Sequence, residues 1–469
     1  MSTLLERADV LHEWGIEPIP ETHRRLGAFD LAILWGDLGI GLLVLVAGAL
    51  LVPALGFVAA FGAIVLGSAI GVALLALGAR EGAAHGLPTM VLLRPVLGLR
   101  GSWIPSVFNA LQLIGWTAVE LWAMSYVADL VAREVFGWSV RYLWLTIASV
   151  VCIGLSLWGP VGVTRVWMER FAAWIAVWIV LIVAILLFTT DDLGAALSAP
   201  GTGDLPFGLA LDLVIAMPIS WLPLVADYSR FAHRPRSAFL GTFFGYFVAN
   251  VVLYSLGALL VLNAGADPSP GGIAAGILAL AGGTFAGVMF LVGLLVVETD
   301  EAFADIYSGA VTLQNIFSNA TQRVLVLLVG ITGTLLAAWF TMERYESFLF
   351  LIGSVFVPLF GMFVADHFVN RRGRIHKEEL YGVGRYWFSG GIRWTALIPW
   401  GAGFLLYHWI APVGPDWWID AVDAVTGGAL IEQVPWLGAS VPSFVLAFLL
   451  SLRPRLSSEP VGPPTERPQ

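Results

Sequence analysis

The chain is a succession of long apolar stretches separated by short charged segments or by turns rich in glycine and proline. A transmembrane α-helix needs about 20 predominantly apolar residues, and twelve stretches approach or exceed this length. We predict a membrane-spanning helix at each of these positions: 28–52, 57–79, 103–131, 142–160, 167–189, 207–229, 237–263, 275–309, 322–341, 345–368, 392–412 and 437–452. The pattern therefore predicts an all-α, polytopic membrane protein.

The composition indicates that lipid is the solvent of this surface. Apolar residues make up 58% of the 469 residues and charged residues 12%, whereas soluble domains carry about 25% charged residues. The net charge of −9 comes without a basic patch or a nucleic-acid-binding motif, so we expect no nucleic-acid partner. The single cysteine, Cys152, excludes a disulfide framework and a thiolate metal site.

The basic residues predict the orientation in the membrane. With the N-terminus placed in the cytoplasm, all but three of the 24 Lys and Arg residues fall on the cytoplasmic side, the exceptions being Arg133, Arg141 and Arg344. We therefore expect a multi-pass protein of the plasma (inner) membrane with both termini in the cytoplasm. The N-terminus has no short apolar core followed by a cleavage site, so the first span is expected to act as its own insertion signal.

The first and sixth spans are predicted to be interrupted helices. Three glycines surround Asp37 in LAILWGDLGIGLLVL, and two prolines, Pro218 and Pro223, occur in DLVIAMPISWLPLVADYSRF. Irregular backbone at membrane depth is tolerated where it lines an enclosed cavity, and transporters built of inverted repeats break helices at matched positions. The alternative is glycine for close helix packing and proline for a simple kink.

Polar side chains on the third span predict a binding surface for a flat ring. Gln112, Trp116 and Glu120 follow one another at i, i+4 and i+8, so they share one helix face. An aromatic ring with hydrogen-bonding neighbours can stack a planar heterocycle and contact its edge. The alternative is a tryptophan that only packs, since the chain has 20 of them.

The eighth predicted span carries an unusual density of acids. Five polar residues lie within eight positions: Glu298, Thr299, Asp300, Glu301 and Asp305. No Lys or Arg lies within the first, third or eighth spans to balance them. Buried carboxylates that lie close together need protons or a cation between them, which suits a cation symporter. The alternative is a span that starts later and leaves residues 298–305 in water.

Several motifs resemble one family of permeases. The stretch GLRGSWIPSVFNALQLIGWTAVELWAM and the pieces ADYSRF, IYSGAVTLQNI and FVPLFGMFVADHFVNRR are similar to the nucleobase–cation symporter-1 family of cytosine, purine, uracil, thiamine and allantoin permeases. The resemblance covers about residues 25–375. LGAFDLAILWGDLGIGLLVL and GWTAVELW are most similar to its hydroxymethylpyrimidine and cytosine permease subgroup.

The resemblance implies a leucine-transporter-like fold, with two inverted repeats of five helices and two further helices. It divides the chain into five parts: a cytoplasmic N-terminal segment at 1–27, a first repeat at 28–206, a second repeat at 207–372, a cytoplasmic loop with the last two helices at 373–453, and a disordered cytoplasmic tail at 454–469. The implied activity is symport and not enzymatic catalysis.

The resemblance also assigns candidate substrate-binding residues. Trp116 is expected to stack on the substrate ring, while Glu120 and Asp305 are expected to bond its edge. The break in span six, expected at Met217 to Trp221, would supply the opposite wall. Relatives carry an aromatic residue near Met217 or Pro218 and this chain does not, so Trp221 is the candidate replacement. The full candidate set is Gln112, Trp116, Glu120, Met217, Ser220, Trp221 and Asp305.

The family's sodium site maps onto Asp37, Ile40, Thr299 and Asp300. Two of these residues, Asp37 and Asp300, are acidic. This departs from the family pattern and makes H⁺ an alternative to Na⁺ as the coupling ion. No cofactor is expected beyond that ion, and no metal beyond Na⁺. The sequence gives no oligomeric state, and a monomer is compatible with it.

The expected substrate is an aminopyrimidine, either hydroxymethylpyrimidine or cytosine. Its amine and ring nitrogen can form two parallel bonds with a carboxyl group when one partner is protonated. The alternatives in the same fold are an oxo-nucleobase, allantoin or hydantoin, or an amino acid. A channel or receptor is a further alternative. An intramembrane enzyme would need a His/Asp metal set or a Ser/Lys dyad within the spans, and the sequence shows neither.

Overall fold

The computed structural model describes residues 14–159, 162–189, 193–282, 285–340 and 345–453. In this part of the chain the regular structure is helical, and the only β-type pairing is an isolated bridge between Leu26 and Ala232. The predicted tail at 454–469 and Arg344 lie outside the described residues.

The first half of the chain forms nine helices in the described residues: α1 (Ala28–Asp37), α2 (Leu42–Ala49), α3 (Phe57–His85), α4 (Thr89–Leu92), α5 (Arg94–Leu97), α6 (Trp103–Phe136), α7 (Arg141–Trp158), α8 (Ala173–Phe188) and α9 (Leu193–Ser198). A 3-10 turn at Glu21–His23 precedes α1, and a π-helix at Val163–Ala172 leads directly into α8.

The second half forms eleven helices in the described residues: α10 (Phe207–Trp221), α11 (Val225–Ser229), α12 (Pro235–Ala264), α13 (Pro270–Leu280), α14 (Phe285–Ile316), α15 (Gln322–Trp339), α16 (Tyr345–Val364), α17 (Trp394–Ile410), α18 (Asp416–Thr426), α19 (Leu430–Gln433) and α20 (Ser440–Ser451). A π-helix at Ala365–Asn370 extends α16, and 3-10 turns lie at Lys377–Glu379 and Ser389–Gly391.

Six described helical segments are long and apolar enough to cross a membrane: Phe57–His85, Arg141–Trp158, Arg170–Phe188, Pro235–Ala264, Gln322–Trp339 and Tyr345–Asn370. The pair α1 and α2 makes a seventh span, bent by 62° at its break. Helices α6 and α14 contain 34 and 32 residues and carry most of the buried polar groups of the candidate site. Their length also exceeds the roughly 20 residues that a bilayer requires.

The interrupted helices occur in both predicted spans, with one shift in position. Residues 38–41 separate α1 from α2, around the predicted glycines. In span six the helix continues through Pro218 and ends at Trp221, so the break lies at 222–224 and not at Met217 to Trp221. Pro223 lies in this break, where the fixed φ and missing N–H of proline are tolerated more readily than inside a helix.

One predicted span is wrong in its extent. The stretch 275–309 is not a single helix, because α13 ends at Leu280 and α14 begins at Phe285. The turn between them contains Gly282, at a φ of 68° that glycine adopts without a steric penalty. An apolar run continues through this turn, so hydropathy alone did not separate the two helices.

The broken first span lies against α12 at van der Waals contact of the two backbones. A Cβ atom at Gly257 of α12 would lie 1.9 Å from the carbonyl oxygen of Leu45, and a Cβ atom at Gly48 would lie 2.1 Å from that of Tyr254. Small residues at membrane helix crossings allow this approach and increase dispersion contact. The crossing fixes the position of α2 and of the break that precedes it.

Helix α20 is tied to α10 by a buried cap. The carboxylate of Asp212 accepts hydrogen bonds from the backbone N–H groups of Ala439 (2.5 Å) and Ser440 (2.9 Å). These groups have no partner within α20, and a carboxylate also suits the positive end of the helix dipole. The cap explains why one acid of span six lies away from the candidate site.

Candidate functional site

The site forms where the broken first span meets α14. The backbone N–H of Leu42, in the first turn of α2, donates to the Glu298 carboxylate, which supplies a partner that the helix lacks. A Cβ atom at Gly41 would lie 2.3 Å from Glu301 Oε1 and 3.0 Å from Glu298 Oε1. Glycine at this position therefore lets two carboxylates of α14 approach the backbone of the break.

A small enclosed cavity lies between this break and α6, α10 and α14. The space in it that is open to a water-sized molecule is about 10 Å³, so its walls lie close together in this conformation. Ten residues line it: Leu38, Leu43, Val44, Trp116, Glu120, Met217, Ser220, Trp221, Glu301 and Asp305. Six of the seven candidate substrate-binding residues are thus brought together around one space. Glu301, Leu38 of the break, and Leu43 and Val44 of the first turn of α2 complete its wall.

Two tryptophans from different helices border the cavity. Trp116 of α6 is held edge-on by Tyr345 and Phe348, with ring centroids 6.0 and 5.2 Å away. Trp221, the last residue of α10, is held edge-on by Trp35 at 6.1 Å. Both are buried, at 6% exposure each. Edge-on contacts fix the orientation of an aromatic ring, and both tryptophans also line the cavity.

Three carboxyl groups meet at the same cavity. The carboxyl group of Glu120 lies within hydrogen-bonding distance of Asp305 and of Glu301. Glu120 Oε2, Glu301 Oε1 and Asp305 Oδ2 are buried, and no group of the described residues donates to them. A buried polar oxygen without a partner is expensive, so this surface is suited to a ligand or proton that can bond with it.

Gln112 lies on the same helix face but does not line the cavity. Its Nε2 donates to Asn109 Oδ1 (2.7 Å) and to the Ser220 carbonyl oxygen (2.9 Å), so its amide joins α6 to the end of α10. Asn109 in turn donates to Thr312 Oγ1 of α14 at 2.7 Å. This chain of bonds places the three helices around the cavity.

Asp37 and Asp300 form a second acidic group, between α1 and α14. Their carboxyl groups lie within hydrogen-bonding distance of each other. All four of their oxygens are buried, and the one described donor close to them is the indole N–H of Trp167, which approaches Asp300 without forming a hydrogen bond of normal geometry. Two carboxyl groups in contact require a shared proton or a bound cation.

The other two candidate cation ligands are arranged differently. The Thr299 hydroxyl donates to the Val296 carbonyl oxygen at 2.6 Å, which leaves its oxygen able to accept or to ligate. Ile40 donates its N–H to the Asp37 carbonyl at 2.9 Å, and its side chain faces an apolar groove beside α8 and α12. Only the backbone of Ile40 could therefore contribute to an ion site.

No cationic side chain of the described residues neutralises these acids. Every ion pair between described side chains has Glu81, Asp129 or Asp366 as its acid. The six acids of the site are Asp37, Glu120, Glu298, Asp300, Glu301 and Asp305, and each is at most 4% exposed. The arrangement can therefore take up a proton, a metal cation or a positively polarised substrate edge.

On the side predicted to face the cytoplasm, the described part of the N-terminal segment lies across the helices. Arg230 Nη1 donates to the Gly15 carbonyl oxygen at 2.6 Å, and Nη2 donates to the Tyr307 hydroxyl at 3.0 Å. Tyr381 donates its hydroxyl to the Ile16 carbonyl oxygen at 2.7 Å. These contacts join the segment to α14 and to the loop after α16, and they cover that end of the molecule.

The sequence missed part of the site. Glu301 lines the cavity, although it was assigned only to the acidic face of span eight and not to substrate binding. Its position four residues before Asp305 carried the signal, because such residues share a helix face. The apolar wall formed by Leu38, Leu43 and Val44 carried no signal, since the course of a broken helix is set by its packing.

Comparison with known proteins gives the family. The family model described as permease for cytosine/purines, uracil, thiamine and allantoin matches residues 18–446. The chain belongs to this family. Its members are permeases and not enzymes, so the predicted class of membrane transporter is confirmed.

Named relatives transport different rings. The hydantoin permease of Microbacterium maritypicum is 25% identical over 94% of this chain and 93% of its own length. The cytosine permease of Escherichia coli K12 is 26% identical over 74% of this chain and 76% of its own length. The permease family is therefore shown, and the individual substrate is not decided by these similarities.

Solved structures confirm the fold. Mhp1, a nucleobase-cation-symport-1 family transporter in a closed conformation with bromovinylhydantoin bound, has a TM-score of 0.80 over 94% of each chain at 23% identity. Its inward-facing conformation has a TM-score of 0.74 over 95% of this chain and 98% of that chain, at 21% identity. The predicted leucine-transporter-like fold is confirmed, and the chain is more similar to the closed conformation than to the inward-facing one.

Proposed function

We propose that this permease is a secondary active transporter that imports an aminopyrimidine, hydroxymethylpyrimidine or cytosine, together with Na⁺ or H⁺. The observation that carries the proposal is the cavity in which Trp116 lies beside the carboxyl groups of Glu120 and Asp305. A flat polar ring requires an aromatic face on which to stack and hydrogen-bonding groups around its edge.

The walls of the cavity support stacking of the ring between helices. Trp116 comes from α6, and Met217 and Trp221 come from the end of α10. A ring placed between them would contact both inverted repeats. Binding would therefore favour a conformation in which these repeats approach each other, as coupling of transport to substrate requires.

The acids support an amine-bearing ring over one with only carbonyl groups at its edge. Carboxyl groups accept from an exocyclic amine, and they bond the adjacent ring nitrogen when either partner is protonated. Ionised carboxylates would repel the carbonyl edge of uracil or hydantoin. The presence of Glu301 beside Glu120 and Asp305 strengthens this preference, because it adds a third acceptor at the same edge.

The coupling ion is proposed to bind at Asp37 and Asp300. A proton shared by the two carboxyl groups would satisfy both of them. Sodium would instead lie between their oxygens, with backbone carbonyl groups near Ile40 and the Thr299 hydroxyl oxygen as further ligands. The two ions are distinguished by which imposed gradient drives uptake.

An oxo-ring substrate is the second candidate. It is favoured by the hydantoin permease relative, whose similarity extends over nearly its whole length. A competition experiment with labelled cytosine distinguishes the two substrate classes. An aminopyrimidine site should bind cytosine more tightly than unlabelled uracil, hydantoin or allantoin.

We also propose the arrangement in the membrane. The inverted repeats are assigned to 28–206 and 207–372, and the last two helices follow them. The protein is placed in the plasma (inner) membrane, with both termini in the cytoplasm. The distribution of 24 basic residues supports this orientation.

The stacking proposal is tested by equilibrium binding of labelled cytosine and hydroxymethylpyrimidine to the purified protein. Trp116→Ala should abolish measurable binding and Trp116→Phe should only weaken it, because loss of an aromatic stack removes about 1–3 kcal/mol per base. Trp138→Ala, on an exposed tryptophan two residues beyond the end of α6, is the matched control. Native affinity in the Trp116→Ala variant would contradict ring stacking on this residue.

A further inference from the structure

A cluster of metal-ligating side chains lies outside the transport site, at the end of α3 that the basic residues assign to the cytoplasm. Glu81, His85 and His367 each offer one ligand atom, and these three atoms all lie within 4.8 Å of one another. Glu81 Oε2 lies 2.6 Å from His367 Nε2 and 3.4 Å from His85 Nε2. We propose that these residues form a binding site for a divalent transition metal ion such as Zn²⁺.

The ligand set fits this class of ion. Imidazole nitrogen and carboxylate oxygen are common zinc ligands, and three protein ligands leave a fourth position for water. Bonds of about 2.0 Å in a tetrahedron place ligand atoms about 3.3 Å apart. The pair Glu81–His85 already has this spacing, and the pair Glu81–His367 must open by only about 0.7 Å to reach it.

The site is built from two parts of the fold. Glu81 and His85 are four residues apart on the last turn of α3, so they point to the same side. His367 comes from the π-helix that extends α16, a local irregularity that is frequent at functional sites. A bound ion would therefore connect a helix of the first repeat to the end of the second.

Neighbouring groups hold the ligands in position. The other oxygen of Glu81, Oε1, accepts from Arg80 Nη1 at 2.5 Å, which leaves Oε2 directed at both imidazoles. The ring of His367 stacks on Phe363 with centroids 5.2 Å apart and an interplanar angle of 8°. Supporting contacts of this kind orient ligands and contribute to metal affinity.

The three ligands are buried near the end of α3. Glu81 and His367 are 2% and 1% exposed, and the side chain of His85, the last residue of α3, is 12% exposed. His85 Nε2 has no hydrogen-bond partner within the described residues, apart from its 3.4 Å approach to Glu81. An ion entering beside His85 would meet an unpartnered nitrogen directed into the site.

The alternative is a hydrogen bond between Glu81 and His367 that serves only to join the two helices. This alternative predicts that metal ions bind no better to the native protein than to a variant without His85. A metal site predicts the opposite, because each ligand contributes to affinity. His85 is the informative position, since it is the last residue of α3 and His85→Gln removes the imidazole while keeping a polar side chain.

The test is zinc titration of the purified full-length protein after removal of any affinity tag, with a chromophoric chelator as competitor. We expect one equivalent of Zn²⁺ to bind the native protein and to raise its Tm, since a ligand that binds the folded state stabilises it. His85→Gln and His367→Gln should each weaken this binding by more than the roughly 10- to 100-fold caused by removing a supporting group. His376→Gln, on an exposed histidine of the loop after α16, should leave both the stoichiometry and the Tm shift unchanged.

Either of two results would overturn the proposal. One is the absence of a saturable single equivalent in the native protein. The other is equal zinc affinity in native protein and in the His85→Gln variant, which would leave only the hydrogen bond between helices. Neither readout depends on the transported substrate, so the outcome is independent of the proposed function.

Discussion

At the scale of single residues, spacing along a helix identified the aromatic and acidic groups but not their partners. The interval of four residues placed Gln112, Trp116 and Glu120 on one face, and the structure gathers Trp116 and Glu120 at the cavity. The side-chain amide of Gln112 instead donates hydrogen bonds to Asn109 and Ser220. A helix face can be predicted from sequence, whereas the neighbour across that face depends on packing between distant segments.

The carboxyl edge of the cavity should set which ring is preferred. In Glu120→Gln, the amide can present its donor and acceptor in either order. We expect the preference for cytosine over uracil to fall by about tenfold, which corresponds to about 1.4 kcal/mol. Competition of labelled cytosine by uracil measures this preference in native protein and variant. An unchanged ratio, with cytosine still bound, would show that Glu120 does not contact the distinguishing edge.

At the scale of helices, the interrupted spans were predicted and their boundaries were not. Glycine and proline mark where a helix can break, but Pro218 lies inside α10 and the break follows it at 222–224. The turn between α13 and α14 was missed because apolar residues continue through it. In both cases the end of the helix is decided by contacts with other helices and not by local composition.

The crossing of α2 and α12 should tolerate no side chain at its closest point. Gly257→Ala would place a Cβ atom 1.9 Å from the Leu45 carbonyl oxygen, so the helices must separate and the broken span must shift. We expect a clear fall in Tm, because overpacking a core lowers the free energy of unfolding by about 1–3 kcal/mol or more. Thermal unfolding in detergent measures it.

Gly62→Ala is the matched control for this prediction. Gly62 also lies inside a long helix, α3, and a Cβ atom there has no neighbour within 4 Å. Alanine has the higher helix propensity, so the Tm of this variant should be unchanged or slightly higher. A Gly257→Ala variant as stable as Gly62→Ala would show that the two helices do not pack as closely as described.

The contact between α1 and α14 should determine the coupling ion. Asp300→Asn keeps the shape of the side chain but removes one carboxylate from the pair with Asp37, so the dependence of transport on Na⁺ or H⁺ should change. Ring selectivity should change less, because Asp300 does not line the cavity. Uptake at varied sodium concentration and pH separates the two effects. An unaltered ion response would remove Asp300 from the proposed coupling site.

At the scale of the whole molecule, the apolar periodicity predicted the all-α membrane class, and family resemblance supplied the arrangement of repeats. The order of motifs along the chain carried this information, since no local pattern specifies how ten helices pair. The cluster of Glu81, His85 and His367 was missed for the same reason. Its members are separated by up to 286 residues and meet only in the folded chain.

The fold also relates the site to transport. The cavity is enclosed, and the N-terminal segment is fastened across one end by Arg230 and Tyr381. In the import that we propose, release of a substrate on that side would require these contacts to break.

The most direct test of the proposed function is uptake of labelled hydroxymethylpyrimidine and cytosine into proteoliposomes, with sodium and proton gradients imposed separately. We predict saturable accumulation of at least one of these rings that is driven by one of the two gradients and lost in Trp116→Ala. The driving gradient would identify the coupling ion. Absence of uptake of both rings under both gradients, with folded protein confirmed, would contradict the aminopyrimidine assignment and favour an oxo-ring substrate.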